Sequence, residues 1–356
     1  MTPGGGAPRP RRRTRWAPAA ALLVLAPLCA EYITGYDTST GDLLALTAGL
    51  VVFVPLYGAP ALLIREIARR LGVRWPGILA LTAAFGVLQA GVVDQSLFSA
   101  SYRDIGYWDD MLLPTYVAPL GLGGYTSMVF LVGHAVWSYG VPIALVEPLS
   151  PALSRRPWLR RPGLVVTAAL YLAAAALVLS DHLRTEKDHA SGAQVAGALV
   201  AAALLVAFAL TVGRRRAGPP RDAAVPSPFV VGALSLVAAL VFNLVPESWA
   251  GVAAGLAVLA VAASCVARLA LSRRWGGGHV VALATGALVA RAVIGFFAVP
   301  LGDVGPVAKY AHNTVFLVGA GLLGMLAARR ARSVPRTMPA PPDLAQADGG
   351  KGGAPA

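Results

Sequence analysis

Ten apolar stretches, each about long enough to cross a bilayer, fill most of this 356-residue chain, and the basic residues sit almost wholly in alternate gaps between them. Lipid offers no hydrogen bonds, so every backbone N–H and C=O inside it must be paired within the protein. That requirement leaves helices or a closed barrel. The stretches are continuous runs of Ala, Leu and Val with no two-residue alternation, so helices are expected. The expected fold is all-α, a polytopic transmembrane helix bundle of about ten transmembrane helices. The spans are placed at 16–35, 42–64, 76–99, 126–148, 164–180, 194–212, 228–245, 250–269, 279–299 and 311–328.

Charge gives the orientation. Both termini are expected in the cytoplasm, which puts 25 of the 30 basic residues on that side, among them Arg11, Arg65, Arg69, Arg70, Arg155, Arg160, Arg214, Arg273 and Arg329. The opposite loops hold only Arg103, Arg184, Lys187 and Lys309, and Arg291 lies inside a span. The net charge of +13 is therefore a topology signal, and no nucleic acid is expected as a partner. A chain that is 56% hydrophobic and 13% charged, against roughly a quarter charged in soluble proteins, has the bilayer as its partner. The expected location is the cytoplasmic membrane of a bacterium. The segment after Arg15 reads as a permanent first span, because Leu28 fits a cleavage site poorly. Cys29 and Cys265 fall at opposite depths, which argues against a disulfide.

The chain divides into a disordered basic N-terminus (1–15), a first helical half that holds most of the polar residues (16–212), a cytoplasmic linker (213–227), a second helical half (228–328) and a disordered tail (329–356).

Ionisable groups inside spans are costly and mark sites or pathways. The candidates for a ligand-binding polar cluster are Glu31, Gln89, Asp94, Gln95, His134, Trp137, Arg291, His312 and Asn313, most of them within roughly 12 Å of the outer hydrocarbon edge at 1.5 Å per residue. Arg291 needs a carboxylate or water, and Glu31 and Asp94 are the acids at its level. It is expected to serve as a structural ion pair, to grip a ligand carboxylate or phosphate, or to snorkel to the outer surface. His134 lies on a stripe with Ser127, Phe130 and Ser138, and suits a neutral structural bond, a proton relay or metal ligation. A metal would require His134, His312, Glu31 and Asp94 to converge. Glu66 and Glu147 read as interfacial ion pairs with Arg65, Arg69 and Arg70 or with Arg155 and Arg156. Helix breaks at Pro55–Pro60 and Gly140–Pro142 are placed in the inner half. The aromatic segment 101–124 is either a headgroup anchor or a lid.

The stretches Ala30-Glu31-Tyr32, Leu62-Leu63-Ile64-Arg65-Glu66-Ile67-Ala68-Arg69-Arg70, Asp94-Gln95-Ser96-Leu97-Phe98 and Gly133-His134-Ala135-Val136-Trp137-Ser138 resemble an uncharacterised family of multi-pass actinobacterial membrane proteins. Phe130-Leu131-Val132-Gly133-His134 is similar to the Phe-x-x-x-His motif of the CPBP intramembrane metalloproteases. That resemblance implies a Glu pair on an earlier helix. Gln89-Ala90 stands there instead, which leaves the metal and its activated water without a carboxylate base.

Three functions follow as expectations. The first is an outward-facing polar cavity that binds or transports a small or amphiphilic ligand. The second is a CPBP-like, metal-dependent membrane hydrolase. The third is a structural membrane subunit with no site. The sequence names no cofactor.

Overall fold

The structure, a computed structural model, describes residues 16–215, 218–219 and 221–332; the expected disordered segments 1–15 and 333–356 lie outside the described residues. Ten helical segments occupy the ten apolar stretches. They are α1 (Trp16–Tyr32), α2 (Leu43–Leu71), α3 (Trp75–Val93), α4 (Gly124–Leu149), α5 (Arg161–Thr185), α6 (Gly192–Arg214), α7 (Pro228–Asn243), α8 (Trp249–Leu269), α9 (Gly277–Gly295) and α10 (Pro306–Arg332). Eight are long and apolar enough to cross a membrane; α1 and α7 are shorter.

Local chemistry sets the helix ends. Asp42 caps α2 by accepting from the N–H groups of Leu44 and Ala45, and Ser191 and Gln194 form a capping box on α6. Ser227 and Ser248 cap α7 and α8. Proline in the first turn opens α3, α5 and α7 where a missing N–H costs nothing. Gly72, at φ 68°, ends α2 in the left-handed conformation. Two boundaries differ from the sequence reading. The α2 helix runs past residue 64 to Leu71, because Arg65 and Glu66 are buried within the protein rather than exposed in a loop. The α10 helix runs through Arg332, so residues 329–332 are helical and not part of the tail.

The connections meet at two ends of the bundle. At the arginine-poor end the α1–α2 loop meets the α9–α10 loop, with the Leu301 N–H donating to the Tyr36 carbonyl at 2.7 Å. The α3–α4 and α5–α6 loops join there through Arg103 N–H to Glu186 (3.0 Å) and Ala190 N–H to Gln95. At the arginine-rich end the Arg74 N–H reaches the Gly213 carbonyl (3.0 Å) and the Arg221 N–H reaches Leu271 (2.8 Å). Loops of one parity thus bond to one another, as an up-and-down bundle requires.

Among these helices α3 is the most enclosed: 67% of its most apolar window is buried, against 17% for α5, α6 and α8. Those outer helices present Val165, Leu170, Leu172, Leu199, Leu204 and Val261 outward, the surface that lipid covers. The main core joins α1, α2 and α3 around Leu22, Leu62, Ile64, Ile78 and Tyr139. Here α2 crosses α1 closely at Gly58, where a Cβ would stand 2.2 Å from the Leu23 carbonyl oxygen. The α4 and α9 helices are tied to each other, with Trp137 Nε1–H donating to the Ala287 carbonyl at 2.9 Å.

Each of the first four helices also contains a widened turn with i→i+5 bonding: Leu28–Tyr32, Val54–Gly58, Gln89–Val93 and Gly133–Gly140. Pro55 supplies a cause in α2, since it has no N–H to give the regular ladder. Such turns re-aim side chains and recur at functional sites.

Candidate functional site

Two polar groups stand in the apolar bundle, and all four widened turns lead to the first. Glu31 lies in the widened turn of α1. It accepts a hydrogen bond from the Tyr36 hydroxyl at 2.6 Å and engages the Tyr57 hydroxyl from the broken segment of α2. The Tyr57 ring stacks on His134 of α4 at 6.0 Å. The α2 break expected in the inner half therefore serves the polar group of the opposite end.

His134 Nδ1 lies 3.3 Å from Ser138 Oγ, its neighbour on the expected stripe, while Phe130 stacks on Trp108 at 5.8 Å. Asp94, just past the widened turn of α3, accepts from Gln89 Nε2 (3.1 Å) and from the Ser96 N–H (3.0 Å). Asp94 is also the charge that acts most directly on His134. Glu31, Asp94, His134 and Arg291 are all half-buried, while Gln89, Trp137, Ser138 and Tyr139 around them are buried.

Arg291 does not form the expected ion pair. Its Nη1 donates to Asn243 Oδ1 of α7 at 2.8 Å, and its guanidinium sits over the Trp137 ring at 5.3 Å. Neither Glu31 nor Asp94 lies within ion-pair distance, although Glu31 and Tyr36 are among the groups whose charge it feels. The reason is geometric: α7 packs closely along α9 and offers Asn243 first.

Three other candidates lie apart from this group. Gln95 turns to the α5–α6 loop, where its Oε1 accepts from Ala190. His312 is held by backbone on both sides, accepting from the Gly41 N–H at Nδ1 and contacting the Tyr32 carbonyl through Nε2 at 2.6 Å. Asn313 donates to the Gly295 carbonyl at 2.8 Å. The convergence of His134, His312, Glu31 and Asp94 that a metal would need is therefore not formed. Among the described residues no group of three or more His, Cys, Asp and Glu could hold one. Beside His312, the Lys309 ammonium is buried against three carbonyls, those of Thr34 (3.1 Å), Gly35 (2.6 Å) and Gly295 (2.8 Å). It neutralises the carbonyl ends of α1 and α9.

The segment over the group is partly ordered by aromatics. Trp108 is buried, donates to the Ser99 carbonyl (3.1 Å) and packs against Tyr102 at 5.2 Å, while Asp109 and Asp110 are exposed. A short hairpin pairs Tyr116–Val117 with Leu122–Gly123. Three non-glycine residues here, Gln95, Arg103 and Asp104, hold positive φ of 53°, 53° and 49°. Such strain persists only where its surroundings over-determine it, and it concentrates at sites. Burial and the neighbouring Glu31 push the Tyr36 hydroxyl well above the ordinary phenol range, so it stays a neutral O–H. Tyr102 is raised for the same first cause, with Asp94 adding to it.

The second group lies at the arginine-rich end and is a saturated clasp. Fully buried Arg65 donates to Glu66 (2.8 Å), Glu147 (3.1 Å) and the carbonyls of Leu153 (3.1 Å) and Ser154 (2.9 Å). Its guanidinium also lies 3.6 Å from the centre of the Trp158 ring. Fully buried Glu66 accepts from Arg65, Arg70 and the N–H groups of Trp158 (2.7 Å) and Leu159 (3.1 Å). Glu147 accepts from Arg65 and twice from Arg69. These acids are thus buried rather than interfacial, and their partners are Arg65, Arg69 and Arg70, not Arg155 or Arg156. With every carboxylate oxygen occupied, the clasp fixes the α4–α5 connection and offers nothing to a ligand.

Over residues 20–338 the sequence matches a family described as an uncharacterized membrane protein family. The chain belongs to that family. It is a multi-pass membrane protein, and the bilayer is its environment. No curated protein and no solved structure matches it.

The polar group also contains residues that the sequence did not single out as site candidates: Tyr36, Tyr57 and Tyr139 in its contacts. A tyrosine in an apolar run reads as packing. The flanking Pro55 and Pro60 were the available signal for Tyr57, since a broken helix needs a reason.

Proposed function

We propose that the arginine-poor end faces outward from the cytoplasmic membrane of a bacterium. There Glu31, Asp94, His134 and Arg291 line a polar crevice that binds or moves a small or amphiphilic ligand with an anionic group. Arg291 carries this reading. Its neighbours use one of its five N–H donors in a hydrogen bond, and no carboxylate among the described residues lies within ion-pair reach. Arg65, at the other end, commits four donors. A guanidinium in an apolar bundle with spare donors suits a ligand carboxylate or phosphate. The half-burial of all four residues and the strained turn above them support access from that side.

The test is labelling in intact cells. With exposed Cys265 replaced by Ala, and buried Cys29 left in place, an Arg291→Cys variant is treated with a membrane-impermeant thiol reagent. Modification from outside is expected. In an Asn243→Cys variant, which keeps Arg291 at the crevice, protection by an anionic ligand would identify that ligand's class. If the reagent reaches residue 291 from neither side, the crevice reading fails. The structural-subunit reading then stands, favoured by the Asn243 and Trp137 contacts.

A further inference from the structure

We propose that Glu31 is the proton-carrying carboxyl of this group, with Asp94 as its fixed anion. The assignment goes beyond the ligand reading and stands without it.

The two acids differ in the kind of atom that faces them. Asp94 is held by N–H donors, from the Gln89 amide (3.1 Å) and the Ser96 backbone (3.0 Å). An N–H can only donate, so both oxygens of Asp94 serve as acceptors, the role a carboxylate fills without needing a proton. Glu31 is held by hydroxyls, those of Tyr36 at 2.6 Å and Tyr57. A hydroxyl donates to a carboxylate and accepts from a carboxylic acid by rotating about one bond. The same contacts therefore satisfy Glu31 with and without a proton.

Charges around Glu31 leave that choice open. On its own strand of chain stand Tyr36 and Asp37. From α2 comes Tyr57, from the end of α3 Asp94, and from the turn above it Tyr102 and Arg103. The α4 helix adds His134 and Tyr139, behind Tyr57. The α9 helix brings Arg291, whose hydrogen bond goes to Asn243, and α10 brings Lys309, whose ammonium is spent on three carbonyls, and His312, whose nitrogens face backbone. No cation among the described residues lies within ion-pair distance of Glu31. A carboxyl in an apolar helix with ambivalent partners and no bound cation is built to load and unload.

On loading, a hydronium on the arginine-poor side loses one proton to become water. Glu31 gains an O–H, and Tyr36 turns from donor to acceptor. Unloading reverses each bond. Two buried oxygens nearby, Gln89 Oε1 and the Tyr139 hydroxyl, have no hydrogen-bond partner, and they give a proton or water further in a place to be received.

Infrared difference spectroscopy on the full chain in lipid nanodiscs, titrated with acid, reads this directly. Wild type is expected to gain a protonated-carboxyl C=O band as the pH is lowered. The band should be absent in Glu31→Gln and retained in Asp94→Asn. If Glu31→Gln does not fold, Tyr36→Phe is the second variant, and the band should move because its partner hydroxyl is gone. A wild type without such a band, a band that survives in Glu31→Gln, or a band unmoved in Tyr36→Phe overturns the assignment. Labelling at residue 291 is independent of all three outcomes, so the ligand reading and this one fail separately.

Discussion

The two ends of this bundle treat buried charge in opposite ways. At the arginine-rich end Arg65, Glu66 and Glu147 are closed into a network in which each carboxylate oxygen is occupied. At the arginine-poor end Arg291 makes one side-chain hydrogen bond, Glu31 faces hydroxyls, and Gln89 and Tyr139 keep unpaired oxygens. A saturated network contributes order and gives a ligand nothing to bind. An unsaturated one weakens the fold locally and keeps capacity in reserve. The difference separates scaffold from candidate site without reference to residue type, since both ends use arginine, glutamate and an aromatic ring.

If that contrast holds, substitutions should sort by end. The largest effect is expected from Glu66→Ala, which takes one of two carboxylate partners from buried Arg65 and leaves two backbone N–H groups without an acceptor. A loss of about 3–5 kcal/mol should appear as a large drop in melting temperature of purified protein. A Glu66→Ala protein as stable as wild type would break the comparison outright. Next comes Gly58→Ala, whose Cβ must push against the α1 backbone at Leu23. Overpacking of about 1–3 kcal/mol is expected on the same melt. Arg291→Gln should cost only about 1 kcal/mol, the worth of one hydrogen bond, while abolishing protection of the crevice by an anionic ligand. A melting loss equal to that of Glu66→Ala would instead make Arg291 a structural lock. The smallest effect belongs to the exposed Arg274–Asp222 pair at 3.4 Å. Asp222→Ala should change stability by about 0–1 kcal/mol, and even that should vanish in high salt.

Hydropathy made the ten helices legible, because lipid demands long apolar runs and the arginines punctuate them. It missed the length of α2, since the Arg65–Arg70 segment looks like a cytoplasmic loop until Glu66 and Glu147 are seen to enclose it. The polar residues could be named for the same reason that charges stand out in an apolar background. Their partners could not. Whether Arg291 meets Glu31 or Asn243 depends on which helix packs against α9, and residues 291 and 243 carry no mark of that choice. His312 and Asn313 stood at a suitable depth, yet depth does not say which way a helix is rotated. Tyrosine hydroxyls and widened turns leave almost no trace in composition.

Lys309 bears on how the chain is assembled. Its ammonium joins α10 to the carbonyls that end α1, across 274 and 275 residues of intervening sequence. The clasp, by contrast, closes over 92 residues, between Glu66 and Trp158. Emerging from a ribosome in order, the chain can fasten the knot at its arginine-rich end once the fifth helix begins, whereas the opposite mouth stays unfinished until the tenth is delivered. A product cut short before residue 309 would keep its lower knot and lose the upper seal, leaving the end of α1 beside Glu31 without the Lys309 and His312 contacts that close it.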